Sequence, residues 1–238
     1  MDSAKIAIVA ALEREVRPMI RKWKRIEHNH DRQIYRFYEY ANTVLVCGGI
    51  GTEAARRATE AIIALYRPEL VQSVGFAGAL GFAMCIGNIF VPGRVIDASD
   101  SSRFETSFGE GTLITFRSVA DASQKKKLAQ AYSAQAVDME AAAVARVAER
   151  HGTQFRAVKV ISDPANFELP EMDRFIRKGR FRSGSFVLHA ALRPWLWGKV
   201  AELAINSRRA SDALCRELQR TTRYTCEQVS STPQLHLN

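Results

Sequence analysis

Two stretches carry the residue types that break bonds. In Val137-Asp-Met-Glu-Ala-Ala-Ala143 the carboxylate of Glu140 shares one helical face with Ala143, Val144 and Val147, at i+3, i+4 and i+7. The helix is predicted to run to Arg150, with Asp138 as N-cap and Arg146, Glu149 and Arg150 on its polar face. A carboxylate aimed into a core is costly unless something binds it. Next, Phe155-Arg-Ala-Val-Lys-Val-Ile161 reads as a strand rich in β-branched residues, with Ser162 and Asp163 at its C-terminal end. Open α/β sheets gather their ligand-binding groups at such ends. One carboxylate from a helix face and another from a strand end outline a site.

The surrounding pattern alternates strands and helices. A first strand covers residues 5–11, and a helix follows over 13–24, where Pro18 is tolerable because it falls near the helix start. Residues 33–40 and 43–47 read as strands joined by a turn at Ala41-Asn42. Gly48-Gly49-Ile50-Gly51 then leads into a helix over 52–66 with Thr52 as N-cap. Further strands are expected at 70–74, 86–91, 94–98 and 112–116, with residues 99–111 a polar loop near the site. After Asp163 come a loop to about 172, a long apolar helix over 183–208 interrupted at Pro194, and a polar, frayed tail over 221–238. The expected fold class is α/β, a three-layer α/β/α sandwich, as one domain over residues 1–220 plus the tail.

A chain of 238 residues with 47% apolar and 25% charged residues has an ordinary globular composition and can build an ample core. No apolar run approaches the roughly 20 residues needed to cross a bilayer, and the N-terminal strand does not read as a signal peptide. Cys47, Cys85, Cys215 and Cys226 show no metal-ligand spacing, and Cys47 reads as a reduced core thiol. A cytoplasmic location is expected. The net charge of +9 collects at residues 17–25, 125–127, 174–182 and 208–223. These runs do not alternate with aromatics as in a nucleic-acid module, so they read as solvated helix faces rather than an RNA surface. Attraction to anionic substrates or a membrane surface stays open.

The glycines are ambiguous singly. Gly48–Gly51 could offer backbone N–H groups to an anion, but it lacks the P-loop lysine and the dinucleotide spacing, and a tight turn explains it equally well. In order, however, Ala11-Leu-Glu-Arg-Glu-Val16, Gly49-Ile-Gly51, Gly75-Phe-Ala-Gly78, Ile86-Gly-Asn-Ile89, Val137-Asp-Met-Glu140 and Ile161-Ser-Asp163 resemble the purine and uridine phosphorylase superfamily. Within it they most resemble the methylthioadenosine/S-adenosylhomocysteine nucleosidases. Residues 160–170 and 192–197 further resemble the hopanoid-biosynthesis-associated phosphorylases.

The resemblance implies a nucleoside phosphorylase-like fold with a central mixed sheet, and cleavage of the N-ribosidic bond of a purine nucleoside, a 5′-substituted adenosine. Such cleavage passes through an oxocarbenium-like transition state, with the base leaving as an anion. Asp163 then matches the acid that protonates adenine at N7, which needs a carboxyl group held protonated by burial. Ser162 orients it, Glu140 grips the ribose hydroxyls, and Met139 packs on the ribose face. Glu15 matches the residue that activates water, although periodicity favours Glu13, with Val16 and Ile20, for the inner face. Ile50, Phe76, Ala77, Gly78 and Val119 are the remaining substrate contacts, Val119 standing for an adenine-reading loop near 117–119. Were phosphate the co-substrate, Gly49, Arg56 and Arg94 would hold it. No cofactor or metal is implied, and a homodimer is.

Three departures stand out. Phe76 replaces a small hydroxyl residue beside the ribose. Lys159 replaces an arginine, keeping the charge but not the planar fork. The region between Val91 and Val137 is short. The alternative is a non-catalytic nucleotide- or RNA-binding protein using the basic surface, and the presence of both Glu140 and Asp163 counts against it.

Overall fold

The computed structural model describes residues 6–167, 175–177, 179–181 and 197–230, with only the backbone at 176, 177, 180, 181 and 222–230. Its organising strand is β1 (Ile6–Ala10), whose five residues are all buried. Such a continuous apolar run fits a central strand covered on both faces. Parallel neighbours flank it, β4 (Thr43–Cys47) and β5 (Leu70–Ala79). Side chains of β1 alternate between two cores. Ala7 and Val9 join a cluster with Val44, Val46, Ile62 and Val144, whereas Ile6, Ile8 and Ala10 join one with Val16, Leu45 and Leu214.

The first of these cores lies under two helices that pack on each other, α2 (Thr52–Tyr66) and α4 (Ala141–Arg150). The second lies under α1 (Glu13–Ile20) and the C-terminal helix α5 (Trp197–Ser230), which also pack together. Two helical layers therefore enclose the sheet, the expected three-layer sandwich. The sheet is mixed. Its strands run β2 (Lys24–His30), β3 (Gln33–Tyr40), β4, β1, β5, β10 (Ala136–Asp138), β9 (Thr112–Thr115), β7 (Arg94–Asp97), β8 (Arg103–Glu105). β11 (Gln154–Asp163) runs parallel along β5 and antiparallel to the short β6 (Ile89–Phe90). α3 (Ala122–Tyr132) packs on β9, and a small hairpin joins β12 (Ile176–Arg177) to β13 (Arg180–Phe181).

Several boundaries differ from expectation. α1 stops at Ile20, and Lys24–His30 is a strand instead of a helix end. This strand is polar because it forms the sheet edge, where one side faces water. The segment expected as a loop over 99–111 contains β8. α2 begins at Thr52 with Gly51, not Thr52, as its N-cap. α3, β12 and β13 were not anticipated. The C-terminal helix continues to Ser230, past the start of the expected frayed tail. The expected break at Pro194 lies outside the described residues. Among the described residues no helix is long and apolar enough to cross a membrane.

Candidate active site

The carboxylates collect where strands end. β1 runs into α1 and places Glu15 in its first turn. There Glu15, Val16, Met19 and Ile20 are buried while Glu13 is exposed, reversing the order that periodicity suggested. Burial raises the Glu15 carboxyl to about 7, against smaller opposing effects of Arg14, Lys159 and the Leu12 and Ala11 backbone. β5 passes close by at Gly75. A Cβ there would lie 2.9 Å from Glu15 Oε2, and φ of +149° also disfavours a side chain.

Glu140 is not on the face of α4. It is the N-cap, since the chain leaves β10 only at Asp138 and the helix starts at Ala141. Its Oε1 accepts a 2.8 Å hydrogen bond from the Gly51 N–H at the start of α2. A helix N-terminus favours an acceptor or an anion, and here the Glu140 carboxyl group fills that place. Although the residue as a whole is only half-buried, its carboxyl group is enclosed and its pKa is raised. Burial is the main cause, with Asp138 and Glu15 adding to it while Lys159 and the Gly51 N–H oppose it.

Lys159 links these groups. Its ammonium, 1% exposed, lies 2.8 Å from Asp138 Oδ2 and donates to Ser73 Oγ at 3.0 Å. Asp138 Oδ1 accepts from Thr115 Oγ1 at 2.6 Å, and Oδ2 accepts from the Ala141 N–H at 2.8 Å. Asp138 is therefore not the N-cap expected from the sequence: it ends β10, two residues before the N-cap Glu140, and from there its side chain accepts from the Ala141 N–H while pairing with the lysine. A buried cation facing one direct and two nearby carboxylates keeps the cluster from being a concentration of one sign.

Asp163 ends β11 across a bulge after Ile161. Ser162 Oγ donates to its Oδ1 at 2.8 Å, and the ammonium of Lys125 contacts its Oδ2. This corrects one expectation: the run 125–127 does not lie wholly on a solvated face, because Lys125 is 1% exposed. Asp163 is buried as expected, and it is buried beside a cation. A local signal existed: Lys125 precedes buried Leu128 by three residues, so helical spacing turns it inward and leaves Lys126 and Lys127 outside.

The remaining candidates divide. Met139 is half-buried beside Glu140, with its carbonyl 3.5 Å from Thr52 Oγ1. Ile50 is half-buried, its N–H bonded to the Gly179 carbonyl at 2.7 Å. Gly78 faces Asp163 and Lys125. Ala77 buries its side chain in a core with Val95 and Ile161, so only its backbone is near Ser162. Phe76 is half-buried and packs against the core that contains Val16, Val160 and Leu214. Val119 is half-buried in the connection leading to α3.

The three phosphate candidates are not brought together. The N–H groups of Gly48, Gly49, Ile50 and Gly51 bond to Ala10, Ala11, Gly179 and Glu140, so the loop is not a free anion cradle. Arg56 pairs with Glu53 and Glu60 on the outside of α2, and Arg94 pairs with Glu105 at the start of β7.

The sequence pattern described as "Phosphorylase superfamily" matches residues 5–122 and 101–191. A 5′-methylthioadenosine/S-adenosylhomocysteine nucleosidase of Staphylococcus epidermidis is 25% identical over 221 residues, covering 76% of this chain and 96% of that protein. Two solved structures superpose with a TM-score of 0.70. One is the Helicobacter pylori nucleosidase of the same specificity in complex with a pyrrolidine ligand, 16% identical and covering 94% of this chain and all of that one. The other is the Arabidopsis thaliana 5′-methylthioadenosine nucleosidase in apo form, 18% identical and covering 94% and 96%. With that match spanning most of its length and the same fold in both structures, the chain belongs to the phosphorylase superfamily.

Proposed function

We propose that this protein is a nucleosidase that hydrolyses the N-ribosidic bond of a 5′-substituted adenosine and releases adenine. The observation that carries the reading is the placement of Glu15, Glu140 and Asp163 at the ends of interior strands, with Lys159 between the first two and β5 passing Glu15 at Gly75 and Asp163 at Gly78. Relatives named for methylthioadenosine and S-adenosylhomocysteine support the substrate class.

In the proposed reaction Glu140 accepts hydrogen bonds from the ribose hydroxyls and faces the positive charge that develops on the sugar. With its carboxyl near 7, Glu15 is ionised in a large fraction at neutral pH and suited to take a proton from water. The C1′–N9 electron pair goes to the base, the water oxygen bonds C1′, and Asp163 delivers a proton to the departing purine. This division of labour parallels that of glycosidases acting through an activated water. Water is favoured over phosphate because the Gly48–Gly51 N–H groups, Arg56 and Arg94 are already engaged.

The 5′ substituent is proposed to be apolar and of hopanoid type. Phe76 and the resemblance at residues 160–170 and 192–197 support this. Phe186, Leu192, Trp195 and Leu196, which would add to the apolar surface, lie outside the described residues, as does the Phe181 side chain. The test is chromatography of free adenine after incubation with methylthioadenosine and a series of 5′-alkyl adenosines, with and without phosphate. Each engaged methylene contributes about 0.8 kcal/mol, so kcat/KM is expected to climb with chain length. Values that stay flat would remove the apolar 5′ group, and ribose 1-phosphate formed only with phosphate would replace hydrolysis by phosphorolysis.

A further inference from the structure

Lys125 enters the site from a direction the three carboxylates do not account for. It sits on α3, a helix fixed at its start by reciprocal bonds. Asp121 accepts from the Gln124 N–H at 2.8 Å, and the Gln124 side chain accepts from the Asp121 N–H at 2.9 Å. From there its side chain reaches the end of β11, where the ammonium contacts Asp163 Oδ2 and donates to the Pro164 carbonyl at 2.8 Å. A buried ammonium persists only where acceptors replace its water. The β5 wall is shaped for the pair. A Cβ at Gly78 would lie 2.8 Å from Asp163 Oδ2 and 3.0 Å from Lys125 Cε.

Asp163 is therefore held from both sides, by Ser162 on Oδ1 and by Lys125 on Oδ2. A staple between α3 and β11 would need only some ion pair. It would not need that pair to fall on the carboxyl group assigned to the departing base.

We propose that Lys125 is a positioning residue for leaving-group protonation, fixing the Asp163 carboxyl group and supplying through it the proton that the base takes. This inference rests on the nucleosidase reading. In the step, a Lys125 N–H proton passes to Asp163 Oδ2 and from that carboxyl to a purine nitrogen, while the C1′–N9 bond breaks with its electron pair moving into the base. Lys125 is left as an amine, and once the base has left, the proton that Glu15 took from the attacking water is returned to it through solvent, so that no net proton is gained or lost.

The experiment measures kcat and KM for purine release by wild type, Lys125→Met, Lys125→Arg, Asp163→Asn and the double variant Lys125→Met/Asp163→Asn, with folding followed by circular dichroism. Lys125→Met is expected to lower kcat by roughly 10²-fold, the scale of general acid catalysis, with little change in KM. Lys125→Arg keeps the charge but does not release a proton, so it should leave kcat low. The double variant, with neither buried charge left unpaired, should be no slower than Asp163→Asn, because Lys125 acts only through Asp163. A folded Lys125→Met enzyme with wild-type kcat overturns the proposal, as does full rescue by arginine. Should Lys125→Met fail to fold, the double variant decides: turnover well below that of Asp163→Asn overturns the proposal. A wild-type protein that releases no base overturns the functional reading itself.

Discussion

Glu15→Gln should make the protein more stable while disabling it. Glu15 is 5% exposed, and burial raises its carboxyl from 4.5 to about 7. That interval corresponds to roughly 3 kcal/mol of preference for the neutral form in the folded chain. The folded state binds this proton more tightly than the unfolded state does. Its contribution to stability is therefore complete below about 4.5 and disappears as pH rises through 7. Glutamine keeps the shape and carries no charge to desolvate. The variant should match wild type near pH 4.5 and exceed it by roughly 3 kcal/mol above pH 8, or about 6–12 °C in Tm for a chain of this size. Urea unfolding at several pH values, paired with purine release in phosphate-free buffer, measures both sides. Wild-type turnover should climb as pH rises through about 7, where Glu15 ionises, whereas the variant should show none. A stability difference that does not change with pH, or a variant less stable at pH 8, would refute the reasoning.

Lys159→Met removes the cation shared by Asp138, Glu140 and Glu15, and breaking such a buried pair should cost about 3–5 kcal/mol at neutral pH. Urea midpoints should show part of that loss recovered as the pH is lowered and the stranded carboxyl groups take protons. Gly78→Ala pushes a methyl group against the Asp163–Lys125 contact. Turnover should fall on the order of 10²-fold, the effect of a small displacement at a reacting group, in a protein whose circular dichroism spectrum is unchanged.

Much of the scaffold was legible because its determinants are local. Gln33–Tyr40, Thr43–Cys47 and Thr52–Tyr66 were read at their observed bounds, since apolar periodicity and turn residues mark them directly. Ser162 and Asp163 were placed at a strand end for the same reason. What tertiary structure decided were choices between chemically identical neighbours. Glu13 and Glu15 differ little in local pattern, and only the packing of α1 beneath α5 and beside Gly75 turns Glu15 inward. Helical spacing to Leu128 separates Lys125 from Lys126, but only the seating of α3 on β9 brings Lys125 to Asp163. The Gly48–Gly51 N–H groups looked available for an anion. Their acceptors are Ala10, Ala11, Gly179 and Glu140, which are remote in the chain and adjacent only after folding. Lys24–His30 was missed as a strand because an edge strand takes its hydrogen bonds from one neighbour, β3, and its polar sequence carries little trace of that pairing. Residue type and spacing reveal what a segment can bury. Which charge meets which is fixed by contacts between segments, and those exist only in the folded chain.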